Sequence, residues 1–234
     1  MTAAVERERV AQVPLLIVRP NGSSGRLPTA LWLHGFGASK EVHLPELQRL
    51  AEAGLLAVGV DAVAYGERHR ADLERQFAGL PHDNARLFGE IVRQTAAELP
   101  LLIDSLVERG LSDPQRIAVA GVSMGGCIVY GAIPLDRRIR AAVALLASPE
   151  WALPPGVAVE RFYPTALLSI TAAQDTIVPP AAAQALHERL TPLYRVQEDR
   201  LHYHEIAGVS HFMPAADWAS AVTQASAWLT RFLC

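Results

Sequence analysis

The sequence predicts an α/β protein: a mainly parallel central sheet of about eight strands, with an antiparallel N-terminal edge and helices on both faces. Three observations lead there. Apolar runs of strand length alternate with longer segments of helical spacing from Thr29 onward. Those runs are almost continuously apolar, as expected of strands covered on both sides. A chain of 234 residues that is 50% hydrophobic also suffices for one such domain with a large core.

Taken in order, Val5 to Val10 alternates apolar and charged residues loosely and Pro14 to Val18 is apolar, which reads as an edge hairpin turning near Ala11-Gln12. Asn21 to Gly25 is a turn, and Thr29 to Leu33 a buried strand that ends in His34-Gly35-Phe36-Gly37. Ser39 can cap a helix from about Glu41 to Ala53, closed by Gly54 before the strand Leu55 to Val60. From Asp61 to Asp83 the periodicity breaks down, an irregular excursion at a strand's C-terminal end, where sheets of this kind bind ligands. Asn84 to Arg109 is helical, with Leu87, Ile91, Thr95, Leu99, Leu102 and Leu106 on one face; Pro100 should kink it or divide it in two.

Ser112-Asp113-Pro114 turns the chain into the strand Ile117 to Ala120. Ala141 to Ala147 and Thr165 to Ile170 are further buried strands, joined by a loop, Pro149 to Pro164, that carries prolines and aromatics. Ala181 to Leu190 is helical, Leu201 to Ile206 is the last strand, and Ala215 to Phe232 is a closing amphipathic helix. Residues 1–234 thus read as a single domain with small cap-like excursions near 61–83 and 149–164.

A net charge of −3 and a pI near 6.2 supply no basic field for nucleic acid or an anionic membrane surface, so neither is expected as a partner. The first ten residues alternate charge without the apolar core of a secretory signal, and no run of eighteen apolar residues occurs; a soluble, cytoplasmic protein is expected. Cys127 and Cys234 form neither a metal spacing nor a disulfide framework. Lys40 is the one lysine among 21 lysines and arginines, which reads as genomic base-composition bias.

The chemistry concentrates at Gly121-Val122-Ser123-Met124-Gly125, between an apolar strand and a segment that can be helical. A serine on so sharp a turn sits in strained backbone, and the residues two before and two after it must be nearly free of side chain, as Gly121 and Gly125 are. A serine hydroxyl is a weak nucleophile until a base takes its proton, and histidine suits that task near neutral pH. Of eight histidines, His211 stands directly after the last strand, at the edge where Ser123 should emerge. His202 and His204 share one face of that strand but lack a third metal ligand, so they read as structural, and no metal is expected. An acid must hold the base in one tautomer; Asp175 follows the strand ending near Ile170, although it could instead only cap the next helix. For the oxyanion, the backbone N–H groups of Met124 and Phe36 are the candidates, with Gly35 and Gly37 allowing close approach.

His34-Gly35-Phe36-Gly37, the elbow with its Asp113-Pro114-Gln115-Arg116-Ile117 lead-in, Gln174 to Pro179 and Ser210-His211-Phe212 together resemble the α/β-hydrolase superfamily. Within it the chain resembles small bacterial dienelactone-hydrolase and prolyl-oligopeptidase-like serine esterases. The order Ser123, Asp175, His211 is the one that superfamily uses. The resemblance departs in two ways. Dienelactone hydrolases carry a cysteine where this chain has Ser123, and prolyl peptidases carry a propeller domain for which this sequence has no counterpart.

The resemblance implies a serine carboxylesterase acting on a small-molecule ester without metal or organic cofactor. Thioester, lactone or small-amide hydrolysis by the same three residues, and a non-catalytic hydrolase-fold receptor for a small molecule, are the other readings. Oligomeric state, monomer or homodimer, stays open. Tyr65, Trp151, Phe162, Tyr163 and Phe212 are the expected pocket residues, with a polar wall from Tyr65 through Pro81 and only a short flap at 149–164.

Overall fold

The computed structural model describes residues 4–77, 84–153 and 156–234. Pro81 and Asp83, taken above as the end of the first excursion, lie outside them.

Eight strands form one sheet in the order β1-β2-β4-β3-β5-β6-β7-β8. They are β1 (Ala4–Val10), β2 (Val13–Arg19), β3 (Leu27–Leu33), β4 (Leu56–Val60), β5 (Ser112–Val122), β6 (Ile139–Leu145), β7 (Ala166–Ala172) and β8 (Leu201–Ile206). β1 and β2 pair antiparallel through a two-residue turn in which Ala11 takes φ 51°, and β2 pairs antiparallel with β4. Every later pairing is parallel.

Parallel neighbours need crossovers: α1 (Leu44–Glu52), α3 (Ala85–Glu108), α4 (Met124–Ala132) and α5 (Ala181–Leu190) supply four of them, the β6-to-β7 crossover carries the 3-10 turns Pro149–Trp151 and Val159–Phe162, and α6 (Ala215–Leu233) follows β8. The short α2 (Ala71–Glu74) lies within the first excursion. From β3 the chain moves outward to β4, and from β5 it steps the other way through β6, β7 and β8. Helices therefore cover opposite faces. Leu47 and Leu50 of α1 and Ala225 and Leu229 of α6 bury one face of the sheet. Ile91 and Leu99 of α3, Ile128 of α4 and Leu186 of α5 bury the other. β3 and β5 lie side by side where the direction reverses, the position at which sheets of this kind open a crevice at the strand C-termini.

Several elements differ from the sequence expectation. Ser112-Asp113-Pro114, read as the turn into the strand, already pairs as the start of β5, and β6 runs from Ile139 to Leu145 and not to Ala147. Two helices differ as well. The first helix does not start at Glu41: residues Lys40–His43 form a 3-10 turn, Ser39 makes no side-chain cap, and the α-helix begins at Leu44. Pro45 has no N–H to return to Glu41, so an α-turn cannot close there. Nor does Pro100 divide the long helix. α3 runs through it in one piece, capped by the Asn84 side chain on the Leu87 N–H, because Leu99 and Leu102 are both buried on either side of the proline.

A buried polar line runs beneath α5. Tyr130 of α4 and Ser169 of β7 share a hydrogen bond of 2.7 Å, and Ser169 lies 2.8 Å from His187 Nε2. Both hydroxyl protons are satisfied if Tyr130 donates to Ser169 and Ser169 to the imidazole. Burial, aided by the charge of His202, pushes the His187 pKa down to about 4. An unfolded chain takes up that proton near pH 6.5, whereas the folded one refuses it until about pH 4. Stability is thus fully present above pH 6.5 and is lost as pH falls towards 4, by on the order of 3 kcal/mol. Urea titrations from pH 7 to 4.5 should show that fall, and His187→Gln should flatten it; an unchanged slope would assign the acid sensitivity elsewhere, His34 being the next buried imidazole.

Among the described residues no helix is long and apolar enough to cross a membrane.

Candidate active site

Ser123 sits between β5 and α4 with φ 55° and ψ −117°, a conformation that costs an L-residue energy and is held by its surroundings. Its N–H donates to Leu145 O of β6 at 2.8 Å. A Cβ on Gly121 would lie 2.5 Å from the Gly125 carbonyl carbon, and one on Gly125 would overlap Leu33 O at the end of β3. The two glycines let the turn fold tightly on itself and let α4 start hard against the strand that leads into the His34 loop.

His211 Nε2 is 3.0 Å from Ser123 Oγ, and its Nδ1 is 2.7 Å from Asp175 Oδ2. Asp175 is 4% exposed, and its other oxygen accepts the N–H groups of Ile177 at 2.9 Å and Val178 at 2.7 Å. A carboxylate pinned that way presents one remaining oxygen to the imidazole, which fixes Nδ1–H and leaves Nε2 free to accept from Ser123. The loops are stitched together as well. Ala173 N–H donates to Ile206 O at 3.0 Å and Gln174 N–H to Val209 O at 2.9 Å, bonds that tie the acid-bearing turn directly to the histidine-bearing turn.

Met124 is the first residue of α4, whose opening amides have no helix carbonyl to bind, and they point positive charge at the serine. Across the crevice, an added Cβ on Gly35 would be 3.7 Å from Ser123 Cβ, so the 34–38 turn lies directly over the elbow. That turn is closed by Ala38 N–H on Gly35 O, with Gly37 at φ 73°. His34 is buried and neutral: its Nε2 accepts the Ala62 N–H at 3.1 Å, its Nδ1 donates to Gly35 O at 2.8 Å, and burial holds its pKa below the ordinary value. The ring of Phe36 packs against Tyr65, Phe77 and Phe88, and Phe88 packs against Trp151.

The five residues expected in the pocket separate. Trp151, with Ser148, Thr176 and Ile177, lines a cavity of about 700 Å³ beside the Asp175 turn. Phe212 is 82% exposed, its ring edge-on to His211 at 5.5 Å. Tyr65 is buried between His34 and Phe36. Phe162 and Tyr163 are elsewhere. Phe162 is 0% exposed in the core, and the Tyr163 carbonyl accepts from Arg137, just ahead of β6. The physical reason is direction: a crossover must carry the chain from the C-terminal end of β6 to the N-terminal end of β7, so only its first residues remain near Ser123.

Several charges of the first excursion are engaged. Arg68 makes two 2.7 Å bonds to Glu98 of α3, and Arg70 pairs with Asp72. Cys127 is buried in α4, and burial pushes its thiol up to about 12, which keeps it protonated and inert. His204 donates to Gln224, and His202 stacks on Trp228.

Sequence reasoning missed Lys40. It is 1% exposed, and its Nζ donates to Asp61 at 2.8 Å and Glu67 at 2.7 Å, with Glu41 at 3.0 Å. Its being the single lysine in an arginine-rich chain was the available clue.

No known family's sequence profile matches the chain. YitV of Bacillus subtilis (strain 168), provisionally named an esterase, is 27% identical over a 263-position alignment that takes in 98% of this chain and 99% of YitV. The esterase YjfP of Escherichia coli (strain K12) is 28% identical over 145 residues, 62% of this chain and 55% of YjfP. A solved structure from Klebsiella pneumoniae subsp. pneumoniae, provisionally described as a dienelactone hydrolase, superposes with a TM-score of 0.74 at 16% identity, over 99% of this chain and 100% of that one.

Proposed function

We propose that this chain, an α/β hydrolase by fold and by its similarity to esterases, is a serine carboxylesterase for small esters. The observation that carries the reading is the unbroken line from Asp175 through His211 to Ser123, set on a strained elbow beside two sets of backbone amides. Ser123 Oγ attacks the ester carbonyl while His211 Nε2 takes its proton. The N–H groups of Met124 and Phe36 stabilise the oxyanion of the tetrahedral intermediate. Its collapse expels the alkoxide, which leaves with the proton from His211. Water then attacks the acyl-enzyme, losing its proton to His211, and the carboxylic acid departs as Ser123 is restored. Asp175 holds the ring in place and stabilises the imidazolium that forms twice per cycle.

The reading extends to substrate size. The 149–151 and 66–68 segments over the crevice are single 3-10 turns, and the cavity beside Asp175 mixes apolar Trp151 and Ile177 with polar Ser148, Glu150 and Thr176. Each methylene buried on an apolar wall would be worth about 0.8 kcal/mol, or about fourfold in kcat/KM, but here Ser148, Glu150 and Thr176 interrupt the wall that Trp151, Ile177, Pro179 and the small Ala181 and Ala182 provide. Across p-nitrophenyl acetate, butyrate, octanoate and palmitate, kcat/KM should peak at the two short esters and then fall. A rate still climbing at palmitate, or a jump when substrate forms an emulsion, would contradict it. The same panel with thioesters, lactones and anilides tests the bond: ester hydrolysis should be fastest, and no turnover of any member would refute the enzymatic reading.

A further inference from the structure

The buried Lys40 cluster lies outside the catalytic line, yet it frames one half of the oxyanion site. The 34–40 segment is tied to the 61–67 segment at both ends. At the near end His34 Nε2 accepts the Ala62 N–H. At the far end the Asp61 carboxylate takes the Lys40 N–H at 2.9 Å and the Lys40 ammonium at 2.8 Å. Asp61 also accepts the Glu67 N–H at 3.0 Å, and Gly66, at φ 58°, leaves the space that its carboxylate fills. Between the two ties stand only Gly35 to Ser39, including two glycines, so the path of the Phe36 amide is set by its ends.

The choice of residue fits the place. Asp61 is wholly buried, while Glu41 and Glu67 reach in from the surface and meet Arg7 and Arg9 of β1 on their outer sides. Three carboxylates thus face three cations. An ammonium offers three donors diverging from a single point and serves all three acceptors, whereas a guanidinium carries its donors in one plane, with a longer reach. Burial disfavours its charge, but the hydrogen bonds to Asp61, Glu67 and Glu41 outweigh that and hold its pKa above the ordinary lysine value. Lys40 is the chain's single lysine beside twenty arginines, and among the described residues none of those arginines is buried.

We infer that Lys40 is a positioning residue for the proposed reaction: by clamping the 34–40 loop to Asp61 and Glu67 it holds the Phe36 N–H where the oxyanion forms. The inference rests on the esterase reading for its kinetic consequence, though not for its structural one. In Lys40→Met, kcat on p-nitrophenyl acetate should fall about a hundredfold, the effect of losing one oxyanion donor, with KM within about threefold of wild type. Labelling of Ser123 by a fluorophosphonate should slow in parallel, since the phosphonyl oxygen needs the same donors. Amide hydrogen exchange should accelerate at residues 35–38 and stay unchanged at residues 173–178. Lys40→Arg should not restore the rate. Glu67→Gln, which removes one acceptor at the exposed side, should cost about fivefold in kcat and carries the test if Lys40→Met does not fold. Wild-type kcat in a folded Lys40→Met protein, or exchange at 35–38 identical to wild type, would overturn the clamp. If the wild-type protein hydrolyses no ester, the functional reading fails, and the exchange comparison alone decides the clamp.

Discussion

Replacing Ser123 by alanine should lower kcat on a short-chain ester by about 10⁵-fold or more while leaving the melting temperature almost unchanged. The loss is large because the hydroxyl is the atom to which the acyl group would transfer, and no neighbouring group can take its place. Cys127, the nearest candidate by sequence, is buried with its thiol held protonated. The fold should survive because the elbow depends on Gly121 and Gly125 and on the Ser123 N–H to Leu145, none of which the substitution touches. A fluorophosphonate should add one adduct to the wild-type peptide containing Ser123 and none to the variant. Labelling that persists in Ser123→Ala would place the nucleophile elsewhere.

Asp175→Asn should cost about 10³- to 10⁴-fold in kcat, and the geometry gives a specific reason. Oδ1 accepts two backbone N–H groups, from Ile177 and Val178. An asparagine must turn its carbonyl oxygen to those donors and so present its NH₂ to His211 Nδ1. The imidazole then keeps its proton on Nε2, where it faces Ser123 as a donor and cannot accept. The expected signature is a collapse of kcat with KM little changed and an intact fold by circular dichroism. Asp199 pairs with Arg231 on the surface, so Asp199→Asn should leave kcat within about twofold; if it produced the collapse instead, the acid would have been misplaced.

Much of this arrangement can be read from the linear chain because it depends on local rules. The bounds of α5 and β8 coincide with those drawn from apolar spacing alone, and the residues of the Asp175–His211–Ser123 line each follow a strand of the expected kind. What could not be read depends on long-range direction and partnership. Phe162 and Tyr163 share a loop with Trp151, and composition cannot say that they have already crossed to the N-terminal end of the neighbouring strand. Pro45 sets where the first helix starts through a hydrogen bond it cannot make, a local effect that Ser39 obscured. Lys40 meets Asp61 across 21 residues, and nothing in either neighbourhood announces the pairing.

The enclosure of that lysine has a practical side. Acylating and aldehyde reagents aimed at protein amines act on accessible, uncharged nitrogen, and here the sole ε-amine is shut away as a cation among three carboxylates. In the native protein such reagents should leave Lys40 unmodified, and peptide mapping after treatment should recover the 34–40 segment unlabelled. Any adduct on Lys40 itself would then time-stamp an opening of the segment that surrounds it.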